Sequence, residues 1–118
     1  MTSIHYDGAD GEKQDYAVQG MLIYLPNGDM SVVWMCPGRR KFASNDKLRG
    51  TPEELQEAVS YFDAYCGTYT VDEERACVTH HVAASLFPNH EGADQVRHYR
   101  LSGDELTLIT DPLYFAQK

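Results

Sequence analysis

Residues 20–34 read Gly-Met-Leu-Ile-Tyr-Leu-Pro-Asn-Gly-Asp-Met-Ser-Val-Val-Trp. Two apolar runs rich in β-branched and aromatic residues flank Asn27-Gly28, a pair suited to the positive backbone angles of a hairpin turn. The run before the turn extends back to Asp15 and the run after it on to Met35, which predicts a strand–turn–strand unit. The same grammar recurs downstream. Cys66 to Val71 turns at Asp72 to Glu74 into Ala76 to Leu86, and Gln95 to Leu101 turns at Ser102 to Asp104 into Glu105 to Thr110. Further punctuation falls at Asp7-Gly8, Asp10-Gly11, Pro37-Gly38 and Pro88-Asn89. Consecutive hairpins predict an all-β chain laid out as an antiparallel meander. There is no internal repeat, low-complexity tract or linker, so residues 1–118 are expected to form a single domain.

One segment departs from this pattern. Thr51-Pro52-Glu53-Glu54 supplies a cap, a proline at the first helical position and a glutamate three residues after the cap. Leu55, Ala58, Val59 and Phe62 follow at helical spacing. A helix is expected over about 52–64, its apolar stripe closing one end of a barrel.

Strand alternation assigns faces. Val78, His80, Val82 and Ala84 form the more apolar side of their strand and are placed inward, leaving Cys77, Thr79, His81, Ala83 and Ser85 outside. Gln95, Arg97, Tyr99 and Leu101 are placed inward by continuity with Leu106 and Leu108. Met30, Val32, Trp34 and Cys36 share a face, as do Tyr16, Val18, Leu22 and Tyr24. An apolar wall with a few convergent polar groups describes a small-molecule site.

The stretch V-T-H-H-V-A-A-S-L-F-P-N-H-E-G-A-D-Q-V-R-H-Y-R-L-S-G-D-E-L-T-L, Val78 to Leu108, resembles the lipocalin-like domain family of small bacterial and fungal proteins. G-M-L-I-Y-L-P-N-G-D-M-S-V-V-W, T-P-E-E and Y-C-G-T-Y-T-V-D match that family in order and spacing, so the resemblance runs from about Tyr16 to Pro112. It implies a closed or nearly closed β-barrel around a central cavity. Barrels of this shape serve as carriers and as cyclases or isomerases for natural products, an analogy at the level of fold. Members usually begin with a further strand of the form Gly-Thr-Trp. Here Met1 to Tyr6 supplies only the end of one, which is expected to leave a gap, either shielded by a second copy of the chain in a homodimer or widening the mouth of the pocket.

The candidate ligand-binding residues are Tyr24, Trp34, Tyr65, Tyr69, His80, Asn89, Gln95, Arg97 and Tyr99. His80 reads either as a satisfied core histidine or as a general acid or base. Arg97 reads as an anchor for a carboxylate or enolate, or as a salt bridge to Asp94, Glu91 or a helix carboxylate. Gln95 is an orienting amide or a plain strand residue. The aromatic residues either stack on a ligand or fill the core, and Asn89 either touches a ligand at the barrel mouth or sits in a plain turn. His80 and Arg97 are the candidate catalytic pair. His80-His81 is not expected to hold a metal, because adjacent strand residues point to opposite faces. The basic run Arg39-Arg40-Lys41 is a solvated loop or a lure for an anionic substrate.

Eighteen acidic against ten basic residues give a formal charge of -8. Such a surface repels phosphate backbones and argues against nucleic acid. No apolar run suits a membrane span, and no glycine-rich loop suits a cofactor phosphate. Three cysteines without metal-site spacing, and an N-terminus without a signal-peptide core, lead us to expect reduced thiols in the cytoplasm. Three readings follow: a module binding a small apolar or aromatic ligand that carries a carboxylate or carbonyl, a cofactor-free isomerase, cyclase or dehydratase, and a subunit whose exposed strand edges pair with another protein.

Overall fold

A computed structural model describes the backbone of residues 3–7 and 13–110, with side chains from 18 to 109. Strands β1 (Ser3–Asp7) and β2 (Lys13–Ala17) pair with each other as an antiparallel hairpin. Six more strands form one antiparallel meander in sequence order: β3 (Gln19–Tyr24), β4 (Asp29–Met35), β5 (Phe62–Asp72), β6 (Cys77–Ser85), β7 (Asp94–Ser102) and β8 (Glu105–Thr110). The meander curls into a half-barrel with a single helix, α1 (Pro52–Ser60). The turn signals at Asp7-Gly8 and Asp10-Gly11, and the side chain of Tyr16, lie outside the described residues.

The expected strand from Asp15 to Tyr24 is two strands. β4 ends at Met35, whose partner is Gln19, so residues before Gln19 have no β4 neighbour and β2 pairs with β1 instead. Val18, at the change of partner, is buried. The N-terminal residues therefore do form a strand. Its five residues reach back to Ser3.

The Asn27-Gly28 turn is a three-residue connection: Leu25 N–H donates to the Asp29 carbonyl at 2.8 Å and Gly28 N–H to the Leu25 carbonyl at 3.0 Å. Gly28 takes the positive φ, +96°, that this turn needs and that a side chain would resist.

The helix starts where its signals place it. Thr51 accepts from Glu54 N–H at 3.2 Å, and the Glu54 carboxylate accepts from Thr51 N–H at 2.9 Å. It ends at Ser60, short of the expected residue 64, because Phe62 already opens β5. Its stripe does not close the barrel end among the described residues: Leu55 is 44% and Val59 58% exposed, and the buried helical residue is Glu54. The helix instead clamps the loop before it. Ala43 N–H donates to Glu54, Arg40 N–H to Glu57, and Arg39 Nη1 to the Ala58 carbonyl near the helix C-terminus. Arg39 also stacks over the Phe62 ring at 5.0 Å. The Arg39-Arg40 pair is thus committed to α1.

Burial follows the expected alternation through most of the sheet. Val18, Met30, Val32, Val78 and Val82 form the apolar core, and His80 is 1% exposed among them. Three positions placed inward are not: Ala84, Leu101 and Leu106. Ala84 is exposed, because Cys66 pairs with Ala84 while Gly67 pairs with Val82, which leaves Ala83 as an extra residue in β6 and reverses the faces beyond it. Leu101 is 69% exposed at the end of β7. At this bulge β5 and β6 approach closely: a Cβ on Gly67 would lie 1.9 Å from the His81 carbonyl oxygen.

Gly67→Ala should therefore cost at least about 2 kcal/mol in urea denaturation, since the obstacle is ladder backbone and not a side chain that swings aside. A loss under about 0.5 kcal/mol would mean that the two strands do not meet so closely.

Candidate functional site

The inner face of the sheet brings together residues from four strands, the first of them Tyr24 on β3. β5 offers Tyr65, Gly67 and Tyr69 in alternation, β6 offers Val78, His80 and Val82, and β7 offers Gln95 and Arg97. The register sets Tyr69 opposite His80 and His80 opposite Gln95, with Val78 opposite Arg97. Gly67, between Tyr65 and Tyr69 on this face, presents no side chain.

His80 is held at both ring nitrogens. The Tyr24 hydroxyl lies 2.5 Å from Nε2 and the Tyr65 hydroxyl 2.8 Å from Nδ1. Both rings sit tilted against the imidazole with centroids 5.6 Å away. Tyr69 meets Tyr24 edge-on at 4.7 Å, and its own hydroxyl donates to the Leu25 carbonyl at 2.8 Å. Burial of the imidazole, then the nearby Arg97 charge and His81, hold the His80 pKa down to about 4 from the usual 6.5. Burial also raises both phenols. Arg97 opposes that rise at Tyr65 by charge and by a side-chain hydrogen bond, and at Tyr24 by charge alone. At neutral pH the cluster is a neutral imidazole between two protonated phenols, beside one fixed cation.

Arg97 is half-buried on the inner face while its neighbours Val96 and His98 are exposed. Its guanidinium donates to Gln95 Oε1 at 3.2 Å and to the Val96 carbonyl at 3.1 Å. Among the described residues it pairs with no carboxylate, and the expected alternatives are otherwise occupied. Asp94 binds His81 Nδ1 at 2.8 Å on the outer face, and Glu91 lies in the exposed turn after the 3₁₀ segment Pro88–His90. Alternation already carried this information: Asp94 and Arg97 are three residues apart on one strand and so face opposite ways. The Gln95 amide oxygen is a hydrogen-bond partner of the guanidinium.

Other candidates stand apart. Asn89 is exposed in the 3₁₀ turn. Tyr99 is half-buried on the same face of β7 as Arg97, opposite Leu108. Trp34 is half-buried at the other end of β4, opposite Gly20 and Asp63, and no ring contact joins it to the tyrosine–histidine cluster. A Cβ on Gly20 would lie 2.6 Å from the Trp34 Cα, so this glycine lets the two strands approach at that end.

His81 points out, as its parity requires, and its Nε2 lies 3.1 Å from the Thr70 hydroxyl. The cysteines Cys36, Cys66 and Cys77 are free thiols. Cys66 pairs with Ala84 and Cys77 with Asp72, at separate places on the β5–β6 ladder. Cys77 Sγ lies 3.2 Å from His98 Nδ1 on the outer face. No helix among the described residues is long and apolar enough to cross a membrane.

The sequence profile of the lipocalin-like domain matches residues 4–117. Among curated proteins, the chain is 36% identical over 87 residues to the 4'-hydroxy-3'-methoxypropiophenone carrier protein ppsC of Aspergillus oryzae (strain ATCC 42149 / RIB 40), covering 69% of this chain and 78% of that one. No solved structure matches.

The depressed His80 pKa links folding to acidity. Between about pH 6.5 and 4 the unfolded chain binds a proton that the folded chain refuses, so this contribution is complete above pH 6.5 and is lost as the pH falls. It amounts to at most about 3 kcal/mol. His80→Gln keeps an amide that can both donate and accept but does not titrate. The drop in urea midpoint from pH 7.5 to 4.5 should be clearly smaller in this variant than in the parent; equal drops would place the acid sensitivity elsewhere.

Proposed function

The chain belongs to the lipocalin-like domain family, and on that footing we propose that its half-barrel carries a small, largely apolar aromatic ligand whose carbonyl or acidic oxygen is gripped at Arg97. The observation that carries this reading is the half-buried guanidinium with an amide to orient it and no carboxylate to neutralise it among the described residues. A cation placed so leaves charge-assisted hydrogen bonds available to an oxygen arriving from outside. The surrounding valines, methionine and tyrosines supply the apolar and π surfaces that an aromatic ring prefers.

The relative's name supports the same ligand class. A hydroxy-methoxy-propiophenone is an aromatic ring bearing a ketone and a phenol, which suits apolar walls with one cationic anchor. The free thiols fit a reducing, cytoplasmic setting. A homodimer remains part of the proposal, joined through the edges that β3 and β8 present among the described residues.

A second reading has its own observation. His80 is a neutral imidazole, buried and in contact with two phenols, and such a group can pass a proton to or from a carbonyl-bearing substrate while Arg97 steadies an oxyanion. Isomerisation, cyclisation or dehydration would need no cofactor.

Calorimetric titration with 4'-hydroxy-3'-methoxypropiophenone and related aryl ketones tests the carrier reading. The parent should bind, and Arg97→Gln should bind at least about tenfold more weakly, the scale of one hydrogen bond to a charged group. Equal affinity in the two proteins would sink the anchor. Chromatography of the ligand after prolonged incubation separates the two readings: unchanged ligand is the carrier's result, and a product that disappears with His80→Gln is the enzyme's.

A further inference from the structure

We infer that Cys77 and His98 form a reactive thiol–imidazole pair on the outer face of the sheet, a modification site at which small disulfides exchange with the Cys77 thiol. The pair lies on the opposite side of β6 and β7 from His80 and Arg97, and it stands independently of the ligand reading.

The strand ladder builds the pair. Tyr99 N–H donates to the Ala76 carbonyl at 2.9 Å, and Val82 N–H to the Ala93 carbonyl at 3.0 Å. Residues opposed across β6 and β7 therefore exchange backbone hydrogen bonds at the even positions of β6 and not at the odd ones. Cys77 opposes His98 at an odd position, where facing side chains come closest. Cys77 Sγ accordingly lies 3.2 Å from His98 Nδ1.

Disulfide exchange proceeds through the thiolate, so a base at the sulfur raises its rate. Imidazole is the side chain best matched to take that proton near neutrality. The thiol proton has two acceptors here, Nδ1 and the Arg75 carbonyl at 3.4 Å. His98 is exposed, so water moves its proton between the ring nitrogens far faster than sulfur–sulfur bonds exchange, and either resting tautomer serves. As Cys77 Sγ attacks, its proton passes to the imidazole. A bond forms between Sγ and one sulfur of the reagent. The old sulfur–sulfur bond breaks, its electron pair stays on the departing thiolate, and that thiolate takes the proton from His98. Cys77 is oxidised to a mixed disulfide, and the departing half of the reagent is reduced to a thiol. The reagent meets the pair at the surface, so the step needs no cavity.

The other two thiols have different surroundings. Cys66 is more exposed, yet it stands opposite Ser31 and Ala84, neither of which takes a proton near neutrality. Cys36 is half-buried just beyond β4. Among the described residues no imidazole contacts either sulfur. Exposure alone therefore singles out Cys66, whereas an adjacent base singles out Cys77.

Labelling of the intact protein with substoichiometric dithiodipyridine, followed by peptide mapping, separates these two outcomes. This disulfide is uncharged and so indifferent to the acidic turn Asp72-Glu73-Glu74. Cys77 should be labelled at least about tenfold faster than Cys66 or Cys36. In concentrated urea, where the pair is lost, the three thiols should react within about threefold of one another. His98→Gln should slow Cys77 at least about tenfold and leave Cys66, which reports that the sheet is intact, within about twofold of its parent rate. Labelling of Cys66 or Cys36 first, a Cys77 preference that persists in urea, or a Cys77 rate unmoved by His98→Gln would each overturn the inference. Should that variant fail to fold, the order of labelling in the parent still decides.

Discussion

A buried imidazole must have both nitrogens satisfied, and the inner face of this sheet is arranged around that requirement at His80. An unmet polar group at 1% exposure would cost a large fraction of the stability of a domain this small. Tyr24 from β3 and Tyr65 from β5 meet the requirement from two different strands. Close by, β5 passes against the β6 backbone at the bulge that follows His80 and Val82, which requires a bare Gly67. The aliphatic core of Met30, Val32, Val78 and Val82 then packs around a polar network that sets the relative placement of three strands.

The second organising feature is the asymmetric treatment of positive charge. Arg40 is neutralised by Glu57, and Arg39 is absorbed by a helix carbonyl and an aromatic ring. Among the described residues Arg97 receives an amide, a backbone carbonyl and a phenol but no carboxylate, although the chain has a large acidic excess. The carboxylate nearest in sequence, Asp94, is turned outward to His81. The alternation of a single strand thus keeps the inner cation away from Asp94.

The meander, its three hairpins and the inward placement of Val78, His80, Val82, Gln95 and Arg97 were legible in the sequence, because a two-residue period with frequent turn residues leaves few alternatives. What was not legible arose where period alone carries no information. The bulge at Ala83 has no distinctive residue type, so Ala84 was expected on the wrong face. The early end of α1 lay hidden because Phe62 continues a helical stripe and also opens a strand. The partnership of Tyr24 with His80 spans 56 residues and depends on strand order and curl, which no local pattern encodes. The competing salt-bridge reading of Arg97 with Asp94 could have been discarded from parity alone.

His80 resists protonation down to about pH 4, and a guanidinium does not titrate in a protein. The electrical character of this cluster is consequently constant across the acidity range that cells and their compartments span. Cargo gripped by such a cluster would not be shed by mild acidification, as it is in carriers whose imidazoles gain charge near neutrality. Unloading would instead follow mass action: the ligand departs when its free concentration outside falls, or when a tighter receiver lies within reach.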